Sequence, residues 1–426
     1  MLEKFERLTT EVKIILGMII ALFIVSFILI FNGNNTSNKK NGKETVNLTV
    51  DEGMTKETDE KQTEEETDAP AKKAVSDDAK KNAEKLMKDM SLHDKICQMF
   101  IVTPEGLTGV STATVAGNTT KASIEKNPVG GLVYFQKNIN DRDQIKDMIA
   151  GTQKFAKDYN NIPLFAGVDE EGGKVSRVAS ALDDVTKLDS MFSYKDKGTD
   201  TARTNAKTIA QSIADVGFNL DFAPVADTFS NSSNDVIGDR CYSDSYEECA
   251  SLVSNAVKGF ADGNVLCTLK HFPGHGDAAG DSHDGAAKSD KTLDELKKED
   301  IVPFEAGIKA GAPFVMVGHI TMVEVDNEIA SLSKIVITDT LKGELGYDGI
   351  VITDALDMDA ITSNYKSGEA AVKAVSAGVD MLLMPASLDD AVKGLEDAVK
   401  DGKISEDRIN ESVLKILTLK CDSLDQ

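Results

Sequence analysis

Three of the five histidines of the chain lie in one short stretch, KHFPGHGDAAGDSH at residues 270–283. Asp281 stands two residues before His283, and a carboxylate so close can orient an imidazole and support its positive charge, which suits proton exchange near neutral pH. Clustered histidines could instead bind zinc, but this glycine-rich stretch lacks the HxH and HExxH spacings that hold metal ligands together. We interpret Asp281 and His283 as a candidate acid/base pair, with metal binding as the alternative.

A second candidate for chemistry is Asp354, which directly follows the apolar run GIVIT at residues 349–353. Cleavage of a glycosidic bond needs a proton donor for the leaving oxygen and, where configuration is retained, a carboxylate nucleophile on the opposite side. A buried strand ending at Asp354 would hold such a carboxylate rigidly. Arg177, Arg240 and Lys270 can donate charged hydrogen bonds to sugar hydroxyls, although ion pairing with the many acids is an alternative role.

Eight short apolar runs recur along the body of the chain, with amphipathic stretches between them. Buried parallel strands have this character, and eight strands alternating with helices are typical of a (β/α)8 barrel, whereas a doubly wound open sheet shows the same alternation. The runs lie at residues 99–102, 130–135, 163–168, 218–224, 265–272, 313–319, 349–354 and 381–385. Predicted helices include residues 142–159, 201–216, 245–261 and 293–310. The predicted fold class is therefore α/β, a TIM-type (β/α)8 barrel over residues 77–422.

Polar residues stand where the predicted strands end. They are Asp169 with Glu170 and Glu171 after the third strand, Asp221 and Asp227 around the fourth, Lys270 and His271 on the fifth, His319 after the sixth and Asp354 after the seventh. In a barrel all of these ends lie on one rim, where the reactive groups of TIM barrels cluster. Each residue alone could merely cap a helix or bond to loop backbone, but their convergence favours a site.

The first part of the chain has a different character. Residues 14–31 carry no charge, and as a helix they span about 27 Å, close to a bilayer core of roughly 30 Å. No small-residue cleavage site follows, which favours an uncleaved signal anchor over a removed export signal. Residues 32–76 are acidic and poor in apolar residues, which predicts a disordered linker. We expect a cytoplasmic stub and one transmembrane helix in residues 1–31, and a catalytic domain tethered to the cell membrane outside the cytoplasm.

Charge and cysteine content narrow the function further. The 47 Lys plus Arg against 71 Asp plus Glu leave a formal net charge of −24, which excludes nucleic acid as a partner because such a surface repels a phosphate backbone. The five cysteines form no CxxC pair, which argues against a zinc ribbon, a thioredoxin-type site or a disulfide scaffold. Cys241 and Cys249 could form a disulfide, and the sequence leaves that question open.

Several motifs resemble those of glycoside hydrolase family 3, in its single-barrel branch of β-N-acetylglucosaminidases. They are VDEEGGKVSR at 168–177, NLDFAPVAD at 219–227 with GDRCY at 238–242, KHFPGHGD…DSH at 270–283, and TDALDM at 353–358. The resemblance implies that Asp354 is the nucleophile and that His283, paired with Asp281, is the general acid/base. It also implies that the terminal sugar is bound by Asp169, Arg177, Arg240, Lys270 and His271.

The resemblance further implies retaining exo-hydrolysis of terminal non-reducing β-linked N-acetylhexosamine, through a covalent glycosyl-aspartate and without a cofactor. Peptidoglycan fragments are the expected natural carbohydrate substrates. Lys174 departs from the Arg of many relatives, and the predicted anchor departs from relatives that are cytoplasmic. Three alternatives stay open: a non-catalytic tethered protein that binds wall sugars, a related β-glycosidase, or a glycoside phosphorylase, because a histidine acid/base does not repel an incoming phosphate.

Overall fold

The computed structural model describes residues 76–278 and 287–424. The predicted membrane anchor and the acidic linker up to residue 75 lie outside these ranges, and so do Asp281 and His283. Among the helices that the structure does describe, none is long and apolar enough to cross a membrane. The anchor, the linker and the acid/base pair therefore stay predictions from the sequence.

All eight predicted strands form, and they pair in parallel into one sheet. Their bounds are β1 Phe100–Val102, β2 Gly131–Val133, β3 Phe165–Val168, β4 Leu220–Asp221, β5 Leu266–Phe272, β6 Phe314–Val317, β7 Ile350–Thr353 and β8 Leu382–Leu383. Neighbours follow chain order from β1 to β7, and β8 lies beside β1. A parallel bridge between Ile352 and Met381 joins the two ends of this order. The prediction of a parallel barrel is confirmed, and the open doubly wound sheet is wrong because its two edges meet.

Aromatic rings and a buried lysine fill the amino-terminal end of the barrel. Phe165 of β3 and Phe314 of β6 pack edge to face across the interior, with ring centroids 5.3 Å apart. The ammonium of Lys420 lies 4.9 Å from the Phe165 ring and donates to Gln98 Oε1 at 2.8 Å. Such packing closes the bottom of the barrel, as is general for TIM barrels, whose interior is a packed core.

Amphipathic α-helices cover the outside of the sheet. Their bounds are α1 Asp77–Lys88, α2 Leu92–Gln98, α3 Pro104–Thr108, α4 Asn118–Lys126, α5 Arg142–Asn160, α6 Thr199–Ala214, α7 Tyr246–Asp262, α8 Leu293–Lys298, α9 Val302–Lys309, α10 Asp359–Thr362, α11 Ser367–Ala377, α12 Leu388–Lys400 and α13 Glu406–Ser423. The segment Ile335–Glu344 between β6 and β7 is a π-helix. Helices α5, α6 and α7 confirm three of the predicted amphipathic stretches.

The predicted single helix over residues 293–310 is wrong, because the structure contains two helices there, α8 and α9. Pro303 lies in the first turn of α9, and a proline has no N–H with which to continue the hydrogen bonds of a preceding helix. The apolar periodicity continues across the break, and this is why the pattern alone did not reveal it.

Side-chain caps begin several of the covering helices. Asp141 accepts a hydrogen bond from the Gln144 N–H at the start of α5, and Ser245 accepts one from the Glu248 N–H at the start of α7. Such caps satisfy N–H groups that have no partner inside the helix. Each of these helices then returns the chain to the bottom of the next strand, so that all eight carboxyl ends reach the same rim.

Short extra elements shape this carboxyl rim. The segments Glu170–Gly172 and Val175–Ser176 form an antiparallel hairpin after β3. Its turn contains Gly172 and Gly173 with φ of 88° and 60°, a backbone conformation that residues with a Cβ rarely adopt. The strands Ala287–Ser289 and Ile320–Met322 pair in parallel after β5 and β6.

The structure also answers the open question about cysteine pairing. Cys241 and Cys249 are both buried and both carry free thiols. The Cys249 Sγ lies 3.5 Å from the Asp227 carbonyl oxygen, and the Cys241 Sγ lies 3.2 Å from that of Gly238. These contacts are those of small buried side chains.

Candidate active site

The carboxyl ends of three strands bring together residues that the sequence singled out. Asp169 directly follows β3, Lys270 and His271 lie within β5, and Asp354 directly follows β7. The Lys270 Nζ lies 2.7 Å from the Asp169 Oδ1, and the side chains of Lys270 and His271 are close enough to Asp354 to lower its pKa. The barrel thus assembles these four residues from positions far apart in the chain.

A network of four charged side chains forms one side of the site. Arg240 donates from Nε and Nη2 to the two carboxylate oxygens of Glu171, both at 2.8 Å. Lys270 Nζ lies 2.7 Å from Glu171 Oε1 as well as from Asp169. Two cations and two anions therefore balance one another, and we call these four residues the charged cluster.

Burial and charge act in opposite directions within the charged cluster. Burial alone raises the pKa of Glu171, but Arg240 and Lys270 outweigh it and hold that pKa well below its usual range. Burial alone lowers the pKa of Lys270, but Asp169 and Glu171 outweigh it and raise that pKa. Glu171, Arg240 and Lys270 therefore stay ionised at neutral pH, so the cluster presents fixed donors and acceptors.

His271 is held by the buried carboxylate of Asp227, which lies in the segment after β4. Its Nδ1 lies 2.7 Å from Asp227 Oδ2, and Asp227 also accepts the backbone N–H groups of His271 and, at 2.6 Å, of His275. The carboxylate can only accept, so Nδ1 carries a proton and the Nε2 of a neutral His271 is an acceptor. Asp227 therefore fixes both the backbone and the tautomer of His271.

Asp354 is partly exposed at the rim, at the end of a fully buried strand. Its backbone N–H donates to the Val317 carbonyl at 2.9 Å, and its Oδ1 accepts the Ala355 N–H at 2.7 Å. Burial raises the pKa of this carboxyl, but the imidazole of His271 and other neighbours outweigh it and keep the pKa below its usual value. Asp354 is thus an oriented carboxylate that stays ionised, as a nucleophile requires.

Arg177 lies at the rim but outside the charged cluster. Its Nε is buried and has no hydrogen-bond partner among the described residues, and its guanidinium lies 5.9 Å from the centroid of the Phe135 ring. Arg177 borders a cavity of about 450 Å³ at the mouth of the barrel. The other residues around that cavity are Thr103, Phe135, Gln136, Lys137, Asp357 and Met384.

A second pair of carboxyl groups lies beneath the site. The Glu170 side chain accepts the backbone N–H of Val178 at 2.6 Å, and its own backbone N–H donates to Asp221 Oδ1 at 2.9 Å. Burial raises the pKa of Glu170 to about 7 and raises that of Asp221 well above its usual value. These two groups support the hairpin after β3 from below.

The structure adds two residues to the sequence-derived set of site residues. Glu171 and Asp227 were noted only as polar residues near strand ends, yet they hold Arg240, Lys270 and His271 in place. The sequence could have indicated Glu171 and Asp227 by their residue type, because a carboxylate beside a buried strand needs hydrogen-bond donors or cations as partners. Among the described residues, no group of three His, Cys, Asp or Glu side chains is arranged to hold a metal ion.

Comparison with known proteins identifies the class. The family described as Glycosyl hydrolase family 3 N terminal domain matches residues 91–419, which is most of the chain. The protein therefore belongs to glycoside hydrolase family 3. The rim residues described above lie within the matched region.

Individual relatives carry related names. The chain is 32% identical over 322 residues to "Beta-hexosaminidase A" of Pseudoalteromonas piscicida, covering 70% of this chain and 54% of that one. It is 32% identical over 282 residues to "Beta-hexosaminidase" of Stenotrophomonas maltophilia, covering 64% of this chain and 82% of that one. The chain thus spans only about half the length of the first of these relatives.

Solved structures of the family share the fold. A family 3 β-N-acetylglucosaminidase from Paenibacillus sp. superposes with a TM-score of 0.74 at 34% identity, covering 79% of this chain and 64% of that one. A family 3 glycosyl hydrolase from Mycobacterium smegmatis superposes with a TM-score of 0.68 at 29% identity, covering 78% and 97%.

Proposed function

We propose that the protein is a retaining exo-β-N-acetylhexosaminidase that removes terminal, non-reducing β-linked N-acetylglucosamine. The observation that carries the proposal is Asp354, an oriented and ionised carboxylate at the rim of the barrel beside Lys270 and His271. Relatives named β-hexosaminidase and a solved β-N-acetylglucosaminidase support the same activity.

In the first chemical step an oxygen of Asp354 attacks the anomeric carbon while His283 gives its proton to the glycosidic oxygen. The bond to the leaving group breaks, and a glycosyl ester of Asp354 forms. In the second step the now neutral His283 takes a proton from water, whose oxygen attacks the same carbon and releases Asp354. Two inversions retain the configuration. Asp281 orients His283 and supports its charge.

The charged cluster binds the terminal N-acetylglucosamine, which the reaction removes from the substrate. Asp169 supplies acceptor oxygens, and Arg240 and Lys270 supply N–H donors, all of them held by Glu171 or by one another. Hydroxyl groups of a sugar donate and accept at once, so neighbouring ionised donors and acceptors suit them. His271 adds a ring nitrogen with a fixed tautomer.

Peptidoglycan fragments are the natural substrates we propose. The cavity at the mouth is bordered by two cationic side chains, those of Arg177 and Lys137, and by the carboxyl group of Asp357. Lys137 pairs with Glu105 at 3.6 Å, so Arg177 is the cation that we expect to meet the substrate. A second sugar that bears a carboxylate would accept hydrogen bonds from the partly exposed guanidinium of Arg177. We expect a higher kcat/KM for N-acetylglucosaminyl-β-1,4-muramic acid derivatives than for chitobiose, and equal values would contradict this choice of substrate.

We also propose that residues 14–31 anchor the enzyme in the cell membrane with the catalytic domain outside the cytoplasm. The Ser76 N–H donates to Asp422 Oδ1 at 3.2 Å, and α1 packs against α13. The next residue, Asp77, borders a groove with Leu266, Pro313 and Ile350, which stand at the amino ends of β5, β6 and β7. The described part of the chain thus begins at the end of the barrel opposite to Asp354.

The activity is tested with the purified full-length chain on aryl β-N-acetylglucosaminide and aryl β-glucoside, with Asp354→Asn as control. We expect turnover of the acetamido sugar only, release of the β-anomer as followed by NMR, and loss of turnover in a folded variant. A sugar phosphate formed in phosphate buffer would identify a phosphorylase instead. Sugar binding without turnover by the wild-type chain would identify a binding protein.

The location is tested separately in whole cells. We expect the full-length chain in the membrane fraction and open to added protease, and a chain lacking residues 1–31 in the soluble fraction. A full-length chain that stays soluble would contradict the anchor.

A further inference from the structure

A fully buried histidine lies directly behind the proposed nucleophile. His319 follows β6 after one glycine and has no exposed surface. Its Nε2 lies 2.9 Å from the carbonyl oxygen of Ala355, and its Nδ1 lies 2.8 Å from the hydroxyl oxygen of Ser331. Ser331 is itself fully buried. The imidazole therefore joins the segment after β6 to the segment that begins at Asp354.

These two contacts determine the proton positions on the ring. A carbonyl oxygen can only accept, so the Nε2 of His319 must carry a proton. Burial lowers the pKa of His319, although the nearby Asp354 acts in the opposite direction, and the ring is neutral at neutral pH. Nδ1 is then an acceptor, and the Ser331 hydroxyl donates to it. The Ala355 carbonyl therefore selects the Nε2–H tautomer, and the Ser331 hydroxyl, which can donate or accept, adds a second hydrogen bond that holds the ring in place.

Ala355 is also the residue that holds the nucleophile. Its N–H donates to Asp354 Oδ1 at 2.7 Å, while its carbonyl receives the His319 bond. On the other side, the Asp354 N–H donates to the Val317 carbonyl of β6 at 2.9 Å. One carboxylate oxygen is thus committed to the backbone, and the orientation of the other depends on where Ala355 is held.

We infer that His319 is a positioning residue for the nucleophile: through its Nε2–H bond to the Ala355 carbonyl it fixes the Ala355 N–H, and thereby the direction from which Asp354 attacks. Ser331 acts through His319 by donating a hydrogen bond to its Nδ1, which holds the imidazole ring in place. The inference rests on the proposed function, since it concerns the chemical step that Asp354 performs. Neither residue contacts the substrate, so both affect the reaction only through the position of Asp354.

The kinetic test compares two replacements of similar size. In His319→Gln the side-chain amide can still donate to the Ala355 carbonyl, whereas in His319→Leu it cannot. We expect His319→Leu to lower kcat on an aryl N-acetylglucosaminide by about 100-fold with KM nearly unchanged, because misplacement of a reacting group by about 1 Å costs that much. We expect His319→Gln to recover most of that loss, and Ser331→Ala to fall between the two.

The matched control removes a histidine elsewhere. His93 on α2 bonds to Glu396 at 2.7 Å and lies on the outer surface of the barrel, so His93→Gln should keep the wild-type kcat. Thermal unfolding of all variants separates positioning from folding, because a purely structural role would lower the stability of His319→Leu without a selective loss of kcat.

A spectroscopic readout tests the contact itself. In nitrogen-labelled wild-type protein near pH 7, long-range proton–nitrogen correlations should show a neutral Nε2–H histidine whose signal is absent from His319→Leu, and this absence assigns the signal to His319. In Ser331→Ala the same ring should keep its Nε2–H form, because the Ala355 carbonyl still accepts from it, while the Nδ1 signal should shift as its hydrogen bond is lost. This experiment does not require turnover, and it can be repeated in Asp354→Asn.

The outcomes separate this inference from the proposed function. A folded wild-type chain that cleaves no sugar refutes the proposed function. An active wild type in which His319→Leu keeps kcat within roughly threefold, or is no worse than His319→Gln, overturns the positioning role. A charged or Nδ1–H ring in the wild type overturns it as well. If His319→Leu does not fold, His319→Gln, Ser331→Ala and the wild-type spectrum still decide.

Discussion

The adjacent residues Glu170 and Glu171 offer a matched pair of substitutions that we expect to differ strongly in their effects. Both side chains are buried and both would become glutamine, so the change in size is the same. Glu171 is held ionised by Arg240 and Lys270, whereas burial raises the pKa of Glu170 to about 7. We expect Glu171→Gln to impair both stability and activity, and Glu170→Gln to be mild.

The losses of stability and activity that we expect for Glu171→Gln follow from the contacts of the Glu171 side chain. Glutamine removes the negative charge that bonds two buried cations, Arg240 at 2.8 Å and Lys270 at 2.7 Å. Leaving buried charges without their partner costs roughly 3–5 kcal/mol of unfolding free energy. Because Arg240 and Lys270 then lose their fixed positions, we expect kcat/KM to fall by about 100-fold.

The Glu170 effect depends on pH with a definite sign. Its pKa is about 7 in the folded protein against an ordinary value of 4.5. A carboxyl whose pKa is higher in the folded than in the unfolded protein adds most to the free energy of unfolding at pH values below its unfolded pKa. That contribution is lost as pH rises from 4.5 through 7. The two pKa values, about 7 and 4.5, differ by 2.5, which corresponds to about 3 kcal/mol of unfolding free energy. Glutamine cannot ionise, so Glu170→Gln should become more stable relative to wild type between about pH 5 and about pH 8.

Glu171 should show the opposite pattern, because its folded pKa is lowered. Its stabilising contribution is present above the ordinary pKa and declines only as pH falls below it, so the loss in Glu171→Gln should be constant from about pH 5 to about pH 8. The assay is urea unfolding at both pH values, together with kcat/KM on an aryl N-acetylglucosaminide. Equal stability of the two variants at both pH values would refute the assigned charge states.

Three further changes test other parts of the site. Asp227→Asn should lower kcat/KM by roughly 10- to 100-fold in a folded protein, because His271 loses the carboxylate that fixes its tautomer; steady-state kinetics check this, and unchanged values would contradict it. His283→Ala should reduce hydrolysis of natural sugars far more than that of aryl glycosides with good leaving groups, which need little protonation; equal losses would argue against an acid role. Thiol titration in denaturant without reductant should find all five cysteines free, and two fewer would indicate a bond between Cys241 and Cys249.

Local sequence patterns were sufficient to predict the barrel and the rim. Each of the eight strands is an apolar run because helices cover its outer face and side chains fill the interior, and the structure confirms all eight. Asp169, Lys270 and Asp354 could be chosen because strand ends of a barrel meet on one rim. Their clustering follows from the topology and needs no knowledge of individual contacts.

The pairing within the site could not be predicted in the same way. The Arg240 and Glu171 side chains meet across 69 positions of sequence, and His271 meets Asp227 across 44. No local periodicity encodes such contacts, because they depend on the curvature of the closed sheet and on the hairpin after β3. The sequence therefore indicated which residues could donate or accept, and left open which of them were already paired.

Because of this pairing, the charged cluster and Asp354 have different roles in the site. The charged cluster on β3 to β5 is balanced in charge, so it can bind a neutral sugar through oriented hydrogen bonds without a net field that favours an ionic ligand. Asp354, on β7, is held through β6 and Ala355 and keeps its own charge for attack. Substitutions in the cluster should therefore weaken ground-state and transition-state binding together, whereas substitutions behind Asp354 should lower kcat with little change in KM. The two effects are separable because the cluster and the nucleophile are held by different strands of the barrel.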